Sequence, residues 1–150
     1  MQKIQKIKKI IESLEQEQEY LELGLINDLI YPLQKLKYED WENLNNQLDE
    51  WSDLQRTILV DGILEIKDNK SSNYDTGIIF AKSFLLSEQR NSEILIQYLE
   101  FLDNGISKKT ELIDDIYLKT KWLESQNNSY DINFVEKFKI IYNLYSNAIS

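Results

Sequence analysis

Between Trp41 and Ile66 the chain reads WENLNNQLDEWSDLQRTILVDGILEI, and the spacing inside this stretch leaves little freedom of local structure. Trp41, Leu44, Leu48 and Trp51 recur at steps of three and four residues. On a helix of 3.6 residues per turn that puts them in one stripe. Ser52 then opens an S-x-x-Q pattern with Gln55. This is a capping-box signature, in which the serine hydroxyl and the glutamine side chain each satisfy a backbone N–H that a helix start leaves without a partner. One helix is therefore expected to end near Trp51 and another to begin at once. Leu54, Ile58 and the Ile63–Leu64 pair carry an apolar face onward.

The same periodicity runs through the rest of the chain. Ile4, Ile7, Ile11 and Leu14 form a stripe in a helix expected over residues 3–22, with Lys3, Lys6, Lys8 and Lys9 largely off it. The pattern weakens at residues 15–19 and resumes at Tyr20, Leu21 and Leu23. Gly24 reads as a break or a close-packing point. Leu25, Ile26, Leu29, Ile30, Leu33 and Leu36 trace a further face, and Pro32 inside it predicts a kink or a restart, because proline removes a helix hydrogen bond. The polar run KDNKSSNYDT (residues 67–76) reads as a loop, with Asp75 or Thr76 capping the next helix. An EF-hand beginning at Asp68 would need Gly at Asn73 and Glu at Ile79, so calcium is excluded there.

Residues 77–86 are apolar almost all round, which predicts a helix in the middle of the fold. A helix over 92–103 comes next, with Asn91 as its expected cap and Asn104–Gly105 as its stop. Another begins at Ser107 and runs through Leu123, with QNNS (residues 126–129) as a turn. A last helix, about 131–148, shows Phe134, Val135, Phe138, Ile141, Tyr142 and Tyr145 on one face. Four glycines and one proline are few for a chain of 150 residues, and turn-rich β folds need more. The expected fold is all-α: one domain over residues 1–150, with about seven to eight helices. They would form stacked helical hairpins (39–50 with 52–67, 75–87 with 91–104, 107–126 with 131–148) or an irregular bundle.

Composition then removes whole classes of chemistry. With no histidine and no cysteine the chain lacks the commonest general base, thiolate nucleophiles and the usual transition-metal ligands. Ser–His dyads and the Glu-x-x-His motif of di-iron bundles are impossible, and no nucleotide-phosphate glycine loop occurs. Paired carboxylates are plentiful, including Asp114–Asp115, but neighbours on a polar helix face are normally solvated. No enzymatic activity and no cofactor is expected. Acids near the N-terminus interrupt any signal-type apolar core, and no uncharged run is long enough to span a bilayer, so the expected compartment is the cytoplasm.

Charge is distributed unevenly. Residues 1–9 hold four lysines and no acid, residues 10–68 hold fifteen acids against four bases, and residues 105–150 balance six against six. The net charge of −9 therefore belongs to the first half of the chain. Such a field repels nucleic acid and anionic lipid and attracts basic partners. The lysine-rich start of the first helix is too short before the acids begin to favour membrane docking. Glu39, Asp40, Glu42, Asp49, Glu50 and Asp53 crowd around the two tryptophans and are the candidate partner-binding residues. Trp41 and Trp51 belong to the core, whereas Trp122 lies just off its stripe and is expected to be partly exposed.

The W-x2-L-x3-L-x2-W-x3-Q run of Trp41, Leu44, Leu48, Trp51 and Gln55, followed by apolar helices in pairs, resembles short bacterial HEAT-like helical proteins. Some of these occur among the immunity proteins that neutralise polymorphic toxins. The resemblance covers residues 25–104 and carries no interface residues with it. It implies an inhibitor of a specific protein, and the acidic first half adds the expectation that the occluded partner is basic, such as a toxin. The alternative is a non-catalytic structural or scaffolding subunit in which the charge serves solubility. The oligomeric state is open.

Overall fold

The structure is a computed structural model that describes residues 2–17, 24–66, 73–101 and 110–149. Among the described residues there are eight α-helices and no strand, so the fold is all-α. They are α1 (Gln2–Glu15), α2 (Ile30–Gln34), α3 (Tyr38–Gln47), α4 (Asp53–Leu64), α5 (Gly77–Leu86), α6 (Gln89–Leu95), α7 (Thr110–Ser125) and α8 (Ile132–Ile149). By their internal contacts the residues form two compact units, Met1–Ile79 and Phe80–Ser150, and the division falls within α5.

The first unit is arranged around α4. Arg56 through Ile63 are buried without interruption, which no amphipathic surface helix would show. The neighbours of α4 are α1 and the segment 25–34, while α3 lies against α1. The expected pairing of 39–50 with 52–67 as a simple hairpin is therefore replaced by a broader arrangement. A helix buried around most of its circumference needs several neighbours, and one adjacent amphipathic helix cannot cover it. The stripe Ile4, Ile7, Ile11 and Leu14 is buried as its spacing requires, and it joins Trp41, Leu44, Leu48 and Trp51 in one core with Ile58, Leu59 and Ile63.

Local signals set the joints. Gly24 takes φ +73, a conformation glycine adopts without strain, and it marks the break. From it a 3-10 turn, Leu25–Leu29, leads straight into α2. Pro32 falls in the first turn of α2, where a missing N–H costs least. Close packing is found instead at Gly62. A Cβ there would meet Leu29 Cδ1 at 3.0 Å and Leu33 Cδ1 at 3.2 Å. At α4 the capping box is complete: Gln55 N donates to Ser52 Oγ (3.1 Å) and Ser52 N donates to Gln55 Oε1 (3.0 Å).

In the second unit α7 and α8 fold back on each other around Ile113, Ile116, Leu123, Phe138 and Ile141, the hairpin expected from the spacing. Asp131 caps α8, its Oδ1 accepting from Asn133 N and Phe134 N. Asp75 Oδ1 likewise accepts from Gly77 N before α5. The helix expected from residue 92 begins earlier, at Gln89, with Glu88 at the N-cap, so Asn91 lies inside it and does not cap it. The reason is the corner at Ser87, whose Oγ donates to Phe84 O and meets Ser92 Oγ at 2.6 Å. After Leu95 the chain passes into 3-10 geometry over Ile96–Phe101, with a kink at Tyr98 (φ −105, ψ 31). Tyr20, Leu21 and Leu23, most of the 67–76 loop, and the expected boundaries at Asn104–Gly105 and Ser107 lie outside the described residues.

Gly62 gives the first prediction. Alanine gains about 1 kcal/mol of helix propensity over glycine, but overpacking against two fully buried leucines costs roughly 1–3 kcal/mol. Gly62→Ala should therefore lower the stability measured by urea unfolding by about 1 kcal/mol. A gain in stability would show that Leu29 and Leu33 can withdraw, contrary to the packing described.

Candidate functional site

The acidic residues around the tryptophans divide into two groups. Helix α3 continues through a 3-10 turn, Leu48–Glu50, so residues 38–50 form one rod. Its inner stripe, Trp41, Leu44 and Leu48, is fully buried. Glu39, Glu42, Asn43, Asn46, Asp49 and Glu50 recur at steps of three and four on the opposite, exposed side. The structure thus places Glu39, Glu42, Asp49 and Glu50 along one outer edge.

Asp40 and Asp53 are engaged within the fold. Asp40 Oδ2 accepts from Lys37 N at 2.9 Å, closing the start of α3, and lies 3.3 Å from Lys3 Nζ. The backbone N–H of Lys37 holds its carboxyl below the usual range, with Lys3 assisting against partial burial. Only this half of a capping box exists, because a lysine side chain at the N-cap can donate but not accept. Asp53 pairs with the guanidinium of Arg56. Arg56 is 6% exposed. Its Nη1 donates to Leu48 O at 2.9 Å and also to Trp51 O. The α3–α4 corner is built on this one side chain.

An aromatic group flanks the acidic edge. Tyr38 is 48% exposed and meets the ring of Tyr74 edge to face at 5.3 Å. Tyr74 in turn stacks on Trp41 at 6.0 Å. Burial, then the nearby charge of Glu42, pushes the Tyr74 phenol up to about 12. The edge therefore combines carboxylates with a half-exposed ring on a rigid support, the composition that suits contact with arginine and lysine side chains. Sequence reading missed Arg56 and Tyr74. A lone arginine in a helix reads as solvated, and Tyr74 sits in a run that is otherwise polar. The spacing Asp53–Arg56 was the one available hint of the corner.

The second unit carries two surface features. An open groove of about 500 Å³ is lined by Arg90, Glu93, Ile94 and Tyr98 from the α6 side and by Asp131 and Phe134 from the start of α8. On α7, Trp122 is 39% exposed, as its position off the stripe predicts, with Lys119 Nζ 4.3 Å from its ring. Lys119 Nζ also donates to Ser87 O, tying α7 to the corner before α6. Among the described residues no group of three or more acidic side chains converges as a metal site would require, and no helix is long and apolar enough to cross a membrane. Comparison with protein-family models, curated proteins and solved structures yielded no match to the chain.

The raised phenol of Tyr74 has a measurable consequence. Between the ordinary value of 10.0 and about 12 the unfolded chain has lost this proton and the folded chain keeps it. Stability must then fall as pH rises through that window. Tyr74→Phe keeps the stacked ring and removes the proton, so it should flatten the alkaline loss seen in urea unfolding. Tyr130 and Tyr142, also raised chiefly by burial, supply the slope that remains. Parallel alkaline losses in the variant and the wild type would contradict the buried placement of Tyr74.

Proposed function

We propose that this chain is an acidic protein-binding module, an immunity protein or similar inhibitor that occludes the basic surface of a partner such as a toxin, in the cytoplasm and without catalysis of its own. The observation that carries the reading is the outer edge of residues 38–50. Glu39, Glu42, Asp49 and Glu50 are exposed together there, beside Tyr38, on a rod whose other side is fully buried. A rigid support matters because affinity gained from contacts is not then spent on ordering the surface. The carboxylates would speed encounter with a basic patch, and Tyr38 would supply the desolvated anchor that slows release. Asp40 and Asp53 act one step back: they hold the two ends of the rod in position.

The test uses the product of the neighbouring gene as the partner. Neutralising the edge (Glu39→Gln, Glu42→Gln, Asp49→Asn and Glu50→Gln together) should slow association on the order of ten-fold at low salt. Wild-type association should weaken steeply with added salt and the variant's should not. Binding left unchanged by the four substitutions would favour a scaffolding subunit whose charge serves solubility. A contact surface confined to residues 105–150 would overturn the acidic-edge reading.

A further inference from the structure

The α7–α8 hairpin carries a cluster unrelated to the acidic edge. Tyr117, Lys121 and Glu124 lie at steps of four and three on one face of α7. Tyr142 and Tyr145, three residues apart on α8, meet them. The ring of Tyr145 stacks on Tyr117 at 3.9 Å, and Tyr142 sits edge to face with Tyr117 at 5.7 Å. Lys121 Nζ lies in the angle between two of these rings, 4.6 Å from the centre of Tyr142 and 5.7 Å from that of Tyr117. Tyr142 donates its hydroxyl proton to Glu124 Oε1 at 2.8 Å, which fixes a carboxylate at the rim. The Tyr142 phenol is raised by burial and by this carboxylate, so it stays protonated and the bond persists.

Two aromatic rings set at an angle with a carboxylate at their rim make a receptor for an organic cation. The ring faces are negative in their quadrupole and the carboxylate adds charge attraction. The cation present is the chain's own. Lys121 is exposed at the end of a flexible stem and forms no ion pair among the described residues, and its ring contacts position its ammonium. An arginine guanidinium is planar, less strongly hydrated than an ammonium, and able to stack on a ring while bonding a carboxylate. We propose that Tyr117, Tyr142 and Glu124 form a binding site for an arginine side chain, filled in the resting protein by Lys121. A ligand must displace this lysine, which lowers the apparent affinity by the fraction of time the site stands open. The site lies in residues 80–150, and neither its existence nor its test depends on the edge at residues 39–50.

The experiment titrates the full-length chain with N-acetyl-arginine amide and follows the tyrosine ring resonances by NMR. Lys121→Met keeps the aliphatic stem and removes the competing charge. It should bind the probe roughly five- to ten-fold more tightly than the wild type, with shifts at Tyr117 and Tyr142. Adding Glu124→Gln should reverse most of that gain, and N-acetyl-norleucine amide should shift neither ring. Thermal unfolding of each variant confirms that the hairpin is intact. Equal affinity in the wild type and Lys121→Met, or a gain that survives Glu124→Gln, would overturn the proposal and leave Lys121 as a packing contact of the hairpin.

Discussion

Arg56 is a buried charge, and the first unit is built on how that charge is satisfied. A guanidinium withdrawn from water costs several kcal/mol, on the order of the stability of a whole small domain, unless hydrogen bonds and an ion pair offset it. Here Nη1 donates to the carbonyls of Leu48 and Trp51 and Nη2 pairs with Asp53, while the buried Nε has no hydrogen-bond partner among the described residues. The two carbonyls lie at the end of the rod of residues 38–50, where a helix carries partial negative charge, and Leu48 O also accepts from Trp51 N at 3.1 Å. One side chain therefore answers two needs at once: it satisfies the end of one helix and fastens the first turn of the next. The bond set ties the end of the 38–50 rod to the first turn of α4.

The same economy explains why the acidity of the first half is not uniformly displayed. Of the candidate acids, Asp40 closes the start of α3 and faces Lys3, and Asp53 neutralises Arg56. Asp61 is buried within α4. Glu15 accepts from Gln55 Nε2 at 2.6 Å, linking the end of α1 to the start of α4. The basic start of α1 is similarly absorbed in part, with Lys3 on Asp40 and Lys8 5.7 Å from the ring of Trp51. What remains outward on the rod is Glu39, Glu42, Asp49 and Glu50.

Periodicity made most of the helices legible. The stripes of α1, α3 and α8 were readable because each helix buries one face, and a three-and-four spacing reports a single buried face directly. The capping box at Ser52 was readable because its two residues bond each other locally. What was not legible depended on distant partners. That α4 would lie mainly against α1 and residues 25–34 follows from how much of its circumference is buried, and spacing alone does not say which neighbours supply the cover. Asn91 has the chemistry of a cap, but the Ser87–Ser92 corner starts that helix earlier. Arg56 and Tyr74 gain their roles from carbonyls and rings contributed by other segments, and no local pattern marks them. The rings at Tyr117, Tyr142 and Tyr145 are each visible as helical positions, yet their meeting depends on the register of the α7–α8 hairpin.

Hydrogen exchange on the free chain tests whether the exposed acidic edge is held rigid by the Arg56 corner. In the wild type the amides of the 38–50 rod and of α4 should open together, as one cooperative unit. Arg56→Met keeps the side-chain volume but removes the guanidinium donor from the Leu48 and Trp51 carbonyls, leaving Leu48 O its bond from Trp51 N. It should lower the protection of both segments by a similar factor, on the order of a hundred-fold, as expected when about 3 kcal/mol is lost from a shared unit. A rod that kept its wild-type protection while α4 alone loosened would contradict this dependence, and would show that the edge stands without Arg56.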